Sequence, residues 1–151
     1  MHNVRLAAVL ALTAAISCKP VGALTPRQAF YDVKTAFETE DTLTLTKTLS
    51  QGSINKLNDI CKKFAAMKPE QRIAAGELYG IDPNALASLT AEDALDITLA
   101  SMRADILGKG GSIAGVEQKD EEGVARVVTE AGCEFNFVKE GSYWKWDISG
   151  I

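Results

Sequence analysis

The chain has almost no histidine: His2 is the single one among 151 residues. His2 falls within a leader-like segment, so the domain that follows carries no imidazole. That removes Ser/His and Cys/His nucleophilic sites, histidine-based acid catalysis and nearly every zinc arrangement. Long apolar runs are missing as well. No stretch approaches the roughly 18 residues of a membrane-spanning helix, which excludes a channel or transporter built on such spans. Basic residues are not in excess either, since 16 Lys and Arg stand against 20 Asp and Glu, for a formal charge of −4 and a pI of about 5.0. An acidic chain lacks the surface that neutralises phosphates, so no DNA or RNA partner is expected.

The motifs that carry a cofactor or metal are also lacking. No CxxC pair and no calcium-loop pattern occurs, and Gly108-Lys109-Gly110-Gly111 has neither the spacing of a phosphate loop nor a Ser or Thr after its lysine. It reads as a helix stop followed by a flexible turn. Asp120-Glu121-Glu122 is a solvated hairpin tip, because adjacent residues in a turn do not converge their carboxylates on one ion. No cofactor and no metal are expected. What is present is a 46% hydrophobic, 24% charged chain, well above the apolar level of a disordered one and sized for a single domain.

Residues 1–23 read as an export signal. Met1 to Arg5 supply a short positive n-region, and Leu6 to Ile16 form an eleven-residue apolar stretch broken only by Thr13. Two exits fit. Val21-Gly22-Ala23 has small residues where signal peptidase accepts them, which starts the mature chain at Leu24. Ala15-Ile16-Ser17-Cys18 resembles a relaxed bacterial lipobox, in which Cys18 carries diacylglycerol; this is the preferred exit and predicts a membrane association through a lipid anchor. Either exit predicts a bacterial envelope, periplasmic or secreted location, with residues 24–151 as one domain.

That domain splits by period into helices, then strands. Thr25-Pro26-Arg27-Gln28 reads as a capping box, and Ala29, Phe30, Val33, Ala36 and Phe37 follow at helical spacing. Asp41 caps a short segment to Leu49, where alternating Leu43 and Leu45 also suit a strand. Ser53 opens a helix with Ile54, Leu57, Cys61 and Phe64 on one stripe. Pro69 starts another, carrying Ile73 and Leu78 to Gly80, and Asp82-Pro83 begins a helical turn to Leu89. Thr90 with Asp93 caps a last helix, whose Leu95, Leu99, Met102 and Ile106 form a stripe closed by Gly108, and the glycines to Gly111 act as the hinge.

Beyond the hinge the period is two. Ile113 to Gln118, Val124 to Glu130, Cys133 to Lys139 and Tyr143 to Ile148 read as four strands of an antiparallel meander. Cys133, Phe135 and Phe137 share one face, as do Trp144, Trp146 and Ile148, with Tyr143 exposed on the opposite side. The helices are the only cover for these apolar faces, which makes the class α+β, with N-terminal helices packed on one face of a curved four-stranded sheet. Cys61 and Cys133 both face that core and are candidates for one disulfide in an oxidising compartment. Such a bridge closes a long loop, worth roughly 4 kcal/mol.

An opening helix at Thr25 to Glu38, a short helix ending at Leu49-Ser50, and the closing run from Glu134 to Ile148, above all Gly141-Ser142-Tyr143-Trp144-Lys145-Trp146-Asp147-Ile148, resemble the NTF2-like superfamily. In particular they resemble its small exported bacterial lipoproteins with a domain of unknown function. The resemblance implies a cone, in which a bent sheet wraps helices around a pocket used for steroids, small acids or partner proteins. Ile54 to Leu107 holds more helix than that core requires, material that fills the pocket in part.

Three functions follow as expectations. The first is non-catalytic binding of a small apolar ligand in a pocket lined by Phe30, Phe37, Phe135, Phe137 and Trp146. The second is an interaction module of the envelope, with a patch around Tyr143 and a homodimer among its partners. The third is carboxylate acid/base chemistry, which needs a buried acid among Asp32, Asp96 and Asp147.

Overall fold

The computed structural model describes residues 22–100 and 111–150. The leader with Cys18, and Met102, Ile106 and Gly108 to Gly110, lie outside the described residues. Helix α1 spans Pro26–Glu38, and Thr25 caps it by accepting the Gln28 N–H at 3.1 Å. The Gln28 side chain reaches one residue further back than a capping box requires, accepting from Leu24 N–H. The chain leaves α1 through Glu40 in the left-handed region, φ 54°, which closes a bond from Asp41 N–H to the Ala36 carbonyl. Asp41 then caps α2, Thr42–Thr48, taking hydrogen bonds from the Thr44 N–H and hydroxyl. That cap decides helix over strand in a segment whose alternation suited both.

Helix α3, Gln51–Ala66, starts before the expected Ser53: Ser50 is its N-cap, and Ser53 is the residue whose N–H the cap accepts. Helix α4 spans Pro69–Tyr79 and stops at Gly80, φ 69°. It lies outside the core, with Gly76 as its buried residue and Ile73 and Leu78 exposed. Gly76 is required there, because a Cβ would fall 2.6 Å from the Ile81 carbonyl oxygen. A 3-10 turn, Ala85–Ser88, inserts Leu86 fully, and Thr90 and Asp93 cap α5, Ala91–Ala100, reciprocally.

Strands β1 (Ile113–Lys119), β2 (Val124–Thr129), β3 (Glu134–Glu140) and β4 (Tyr143–Trp146) form an antiparallel meander in chain order. The class is thus α+β with helices against one face of the sheet, as the change of period implies. Cys133 falls in the turn before β3, and Ile148 lies past the end of β4, although both were expected within strands. Helix α1 crosses all four strands, with Phe30, Val33 and Phe37 against Val127, Phe135, Phe137 and Trp146. Helices α3 and α5 pack on each other beyond it.

The free edge of β4 is closed by the chain itself. Ala23 pairs antiparallel with Trp144, and Leu49 pairs parallel with Trp146. Next to these lies a buried polar joint. Ser50 N–H donates to the Trp146 carbonyl at 2.8 Å, and Ile148 N–H donates to Ser53 Oγ at 2.8 Å. Asp147 Oδ1 accepts from Ser50 Oγ at 2.8 Å and Ser53 Oγ at 3.2 Å, while its Oδ2 accepts from Ser149 Oγ. Partial burial alone would raise the Asp147 pKa, but the bonds from Ser50, Ser149 and Ser53 outweigh it and hold the carboxyl below its ordinary range.

The cysteines stay apart. No disulfide joins Cys61 to Cys133 in this structure, which corrects the expected bridge. The Cys61 thiol donates to the Thr90 carbonyl at 3.3 Å, because α3 packs on α5 and the 3-10 turn rather than on β3. Facing a common core does not set two thiols at bonding distance.

Two outcomes are expected. Asp147→Ala removes the charged acceptor that the buried Ser50 and Ser53 hydroxyls share, leaving them each other at 2.8 Å and the Trp146 carbonyl, and destabilises the fold by about 1–3 kcal/mol, read by denaturant unfolding at neutral pH. A depressed pKa contributes stability that is present above the unfolded value near 3.9 and is lost as pH falls through the folded value, so this loss shrinks in acid. Secondly, the thermal midpoint does not move when reductant is added; a fall of several degrees would restore the bridge.

Candidate functional site: a groove on the open face of the sheet

Alternation assigns each strand a covered and an uncovered side. Facing the helices are Val116, Ala125, Val127, Phe135, Phe137, Trp144 and Trp146; facing away are Glu117, Lys119, Val124, Arg126, Asn136 and Val138. The register sets Glu117 opposite Arg126 and Arg126 opposite Asn136. Arg126 therefore lies across the sheet between two carboxylates, its Nη2 2.7 Å from Glu117 Oε2 and its Nη1 3.0 Å from Glu134 Oε1. These bonds hold the guanidinium more firmly protonated than usual. Asp147, Ser149 and Gly150 rise beside β3 as a wall, and a groove of about 620 Å³ lies between. Val124 and Val138 give it apolar surface, with Phe137 and Trp146 at its border.

The five rings expected to line a pocket instead fill the interior. Phe30, Phe37, Phe135, Phe137 and Trp146 are each at most 3% exposed. Phe30 meets Phe135 edge to face at 5.1 Å, Phe37 meets Trp146 at 5.9 Å, and Phe135 tilts onto Trp146 at 6.1 Å. Rings at these separations are partners in packing and leave no room between them for a ligand. Phe137 and Trp146 alone of the five reach the groove. Tyr143 is half-buried rather than exposed, because the Gly22 backbone lies on its ring so closely that a Cβ would fall 2.5 Å from its Cγ.

The candidate acids occupy three environments. Asp96 is exposed and accepts from the Thr42 hydroxyl at 3.1 Å. Asp147 is spent on the joint between α3 and β4. Asp32 is half-buried in a second groove, of about 540 Å³, where Thr35, Thr39, Thr44, Lys47 and Trp144 also lie. Burial there raises its pKa. Among the described residues no group of three or more His, Cys, Asp or Glu is placed to hold a metal ion.

Arg126, Glu117, Glu134 and Asn136 were not singled out in the sequence, where they read as solvated alternation. The signal for them was Glu, Arg and Glu at matching outward positions of adjacent strands, legible only once the register is known. Comparison with known proteins finds no family model, no curated protein and no solved structure that matches this chain.

Asp32 supplies a test of its environment. A carboxyl whose pKa is raised on folding favours the folded state below its unfolded value near 3.9, and that contribution is lost as pH rises through the folded value. Asp32→Asn accordingly raises the thermal midpoint slightly at pH 7 and leaves it unchanged at pH 3, where both side chains are neutral. Equal midpoints at both pH values would mean that the carboxyl is fully hydrated.

Proposed function

We propose that this protein is an exported, lipid-anchored bacterial envelope protein of NTF2-like architecture, whose domain binds a small ligand without catalysis in the groove on the open face of the sheet. One observation carries the binding reading: the interior is filled by rings in contact, while the groove of about 620 Å³ is of the size that small-molecule sites occupy. Its lining favours a ligand with an apolar body, laid on Val124 and Val138, and a polar end matched to Arg126, Asn136 and the flanking carboxylates.

Support for the anchor comes from the start of the fold. Cleavage after Ala23 would remove a residue that is 2% exposed and whose carbonyl accepts from Trp144 N–H at 2.8 Å, together with the glycine seated on Tyr143. Cleavage before Cys18 keeps both, and leaves only a few residues between the acyl chains and the sheet edge.

A native mass spectrum of the protein produced with its own leader and extracted from the envelope tests both halves. The expected species begins at Cys18, carries a diacylglyceryl mass and retains a small molecule. Asn136→Trp, which fills the groove, loses that molecule while keeping the parent's thermal midpoint. A chain beginning at Leu24 would overturn the anchor; a molecule retained by Asn136→Trp, or a bare parent chain, would overturn the groove.

A further inference from the structure

The two edges of the sheet are treated differently. The edge of β4 is closed twice by the chain's own Ala23 and Leu49. Strand β1 is bonded on one side only, to β2, and no described residue pairs along its other side. An irregularity between Ile113 and Gly115 breaks the register of its first half, a common device for blunting an edge. Its second half, from Val116 to Lys119, is regular, and its side chains are exposed apart from half-buried Val116. An open regular edge is a template for another strand.

The charges of that half choose the strand. Glu117 and Lys119 sit two residues apart, so they share the uncovered face, with side chains 68% and 69% exposed. When two antiparallel copies are set so that Gln118 opposes Gln118, each Glu117 opposes a Lys119 of the other copy. This happens twice about the two-fold axis. The other two-fold registers within the strand give no such pairs: centring on Glu117 opposes like charges, and centring on Val116 sets both charged residues against Gly115 and Ile113. The atoms are free to respond. Both bonds that Glu117 accepts from Arg126 end on its Oε2, leaving Oε1 outside that pair, and among the described residues the Lys119 ammonium meets the exposed Glu122.

We propose that two copies of this chain associate edge to edge through β1, antiparallel and centred on Gln118, joining their sheets into one of eight strands. Opposed residues in such a pair have Cβ atoms about 5 Å apart, within reach of a Lys–Glu contact. The proposal does not depend on ligand binding, although Glu117 and Lys119 also line the groove.

Cross-linking in the envelope tests it. Gln118→Cys places two thiols across the axis at Cα separations suited to a disulfide, and the expected result is a covalent dimer on a non-reducing gel. Neither the parent nor Glu121→Cys at the hairpin tip gives that dimer. In the Gln118→Cys background, Lys119→Glu replaces two attractions with two repulsions and lowers the cross-linked fraction about tenfold. The swap Glu117→Lys with Lys119→Glu restores it, because the reversed pair is again self-complementary. Thermal midpoints equal to that of the parent show that the variants fold. Monomer alone from Gln118→Cys, or a dimer indifferent to Lys119→Glu, overturns the proposal.

Discussion

The joint between the beginning of α3 and the end of β4 is what the rest of the fold depends on. Ser50 and Ser53 are 1% and 0% exposed, and buried hydroxyls are tolerable only with partners. Here each does several things at once. Ser50 caps α3, donates to Asp147, and sends its N–H to the Trp146 carbonyl. Ser53 receives the Ile148 N–H and donates to the same carboxylate. With the last strand fixed to the helix start, Trp146 is held against Phe37 and Phe135, and Ile148 is carried into the core past the end of its strand. A carboxylate beside a helix N-terminus is also favoured by the field of the helix, so charge and hydrogen bonding act in one direction.

The same joint gives the open face its shape. Because Asp147 turns back to meet the two serines, Ser149 and Gly150 stand at the border of β3 rather than continuing the ladder, and the otherwise flat outer surface gains a wall. Losing the joint would therefore cost a side of the groove as well as stability. On the other side, α1 packs Phe30, Val33 and Phe37 against the sheet.

Much of this was legible in the chain. The capping residues Thr25, Asp41 and Thr90, the prolines at helix starts and the change to period two after Gly111 placed the elements within a few residues. Ser53 was read as a start because it precedes the apolar stripe; the real cap lies three residues earlier, and Ser53 is buried for its partner in β4, a contact across 95 positions that local spacing does not encode. The pairing of Cys61 with Cys133 failed for a related reason, since periodicity reports which side a residue faces and not what it meets there. The aromatic residues were correctly placed inside, but burial is shared by a pocket lining and a packed core, and ring separations decide between them. The groove was hidden because its members are ordinary polar residues, brought together by register.

That arrangement also sets the character of the uncovered face. Val124 and Val138 alone would invite nonspecific contact, yet the guanidinium stretched from Glu117 to Glu134 spans the strands between them and keeps the surface wet. Exposed pairs of this kind contribute little to stability, so their presence across three strands is better understood through what they admit. On the proposed readings, a molecule entering the groove meets a cation already bound by two anions, and a strand approaching β1 meets alternating charge. Both conditions select by complementarity what the apolar surface alone would accept indiscriminately.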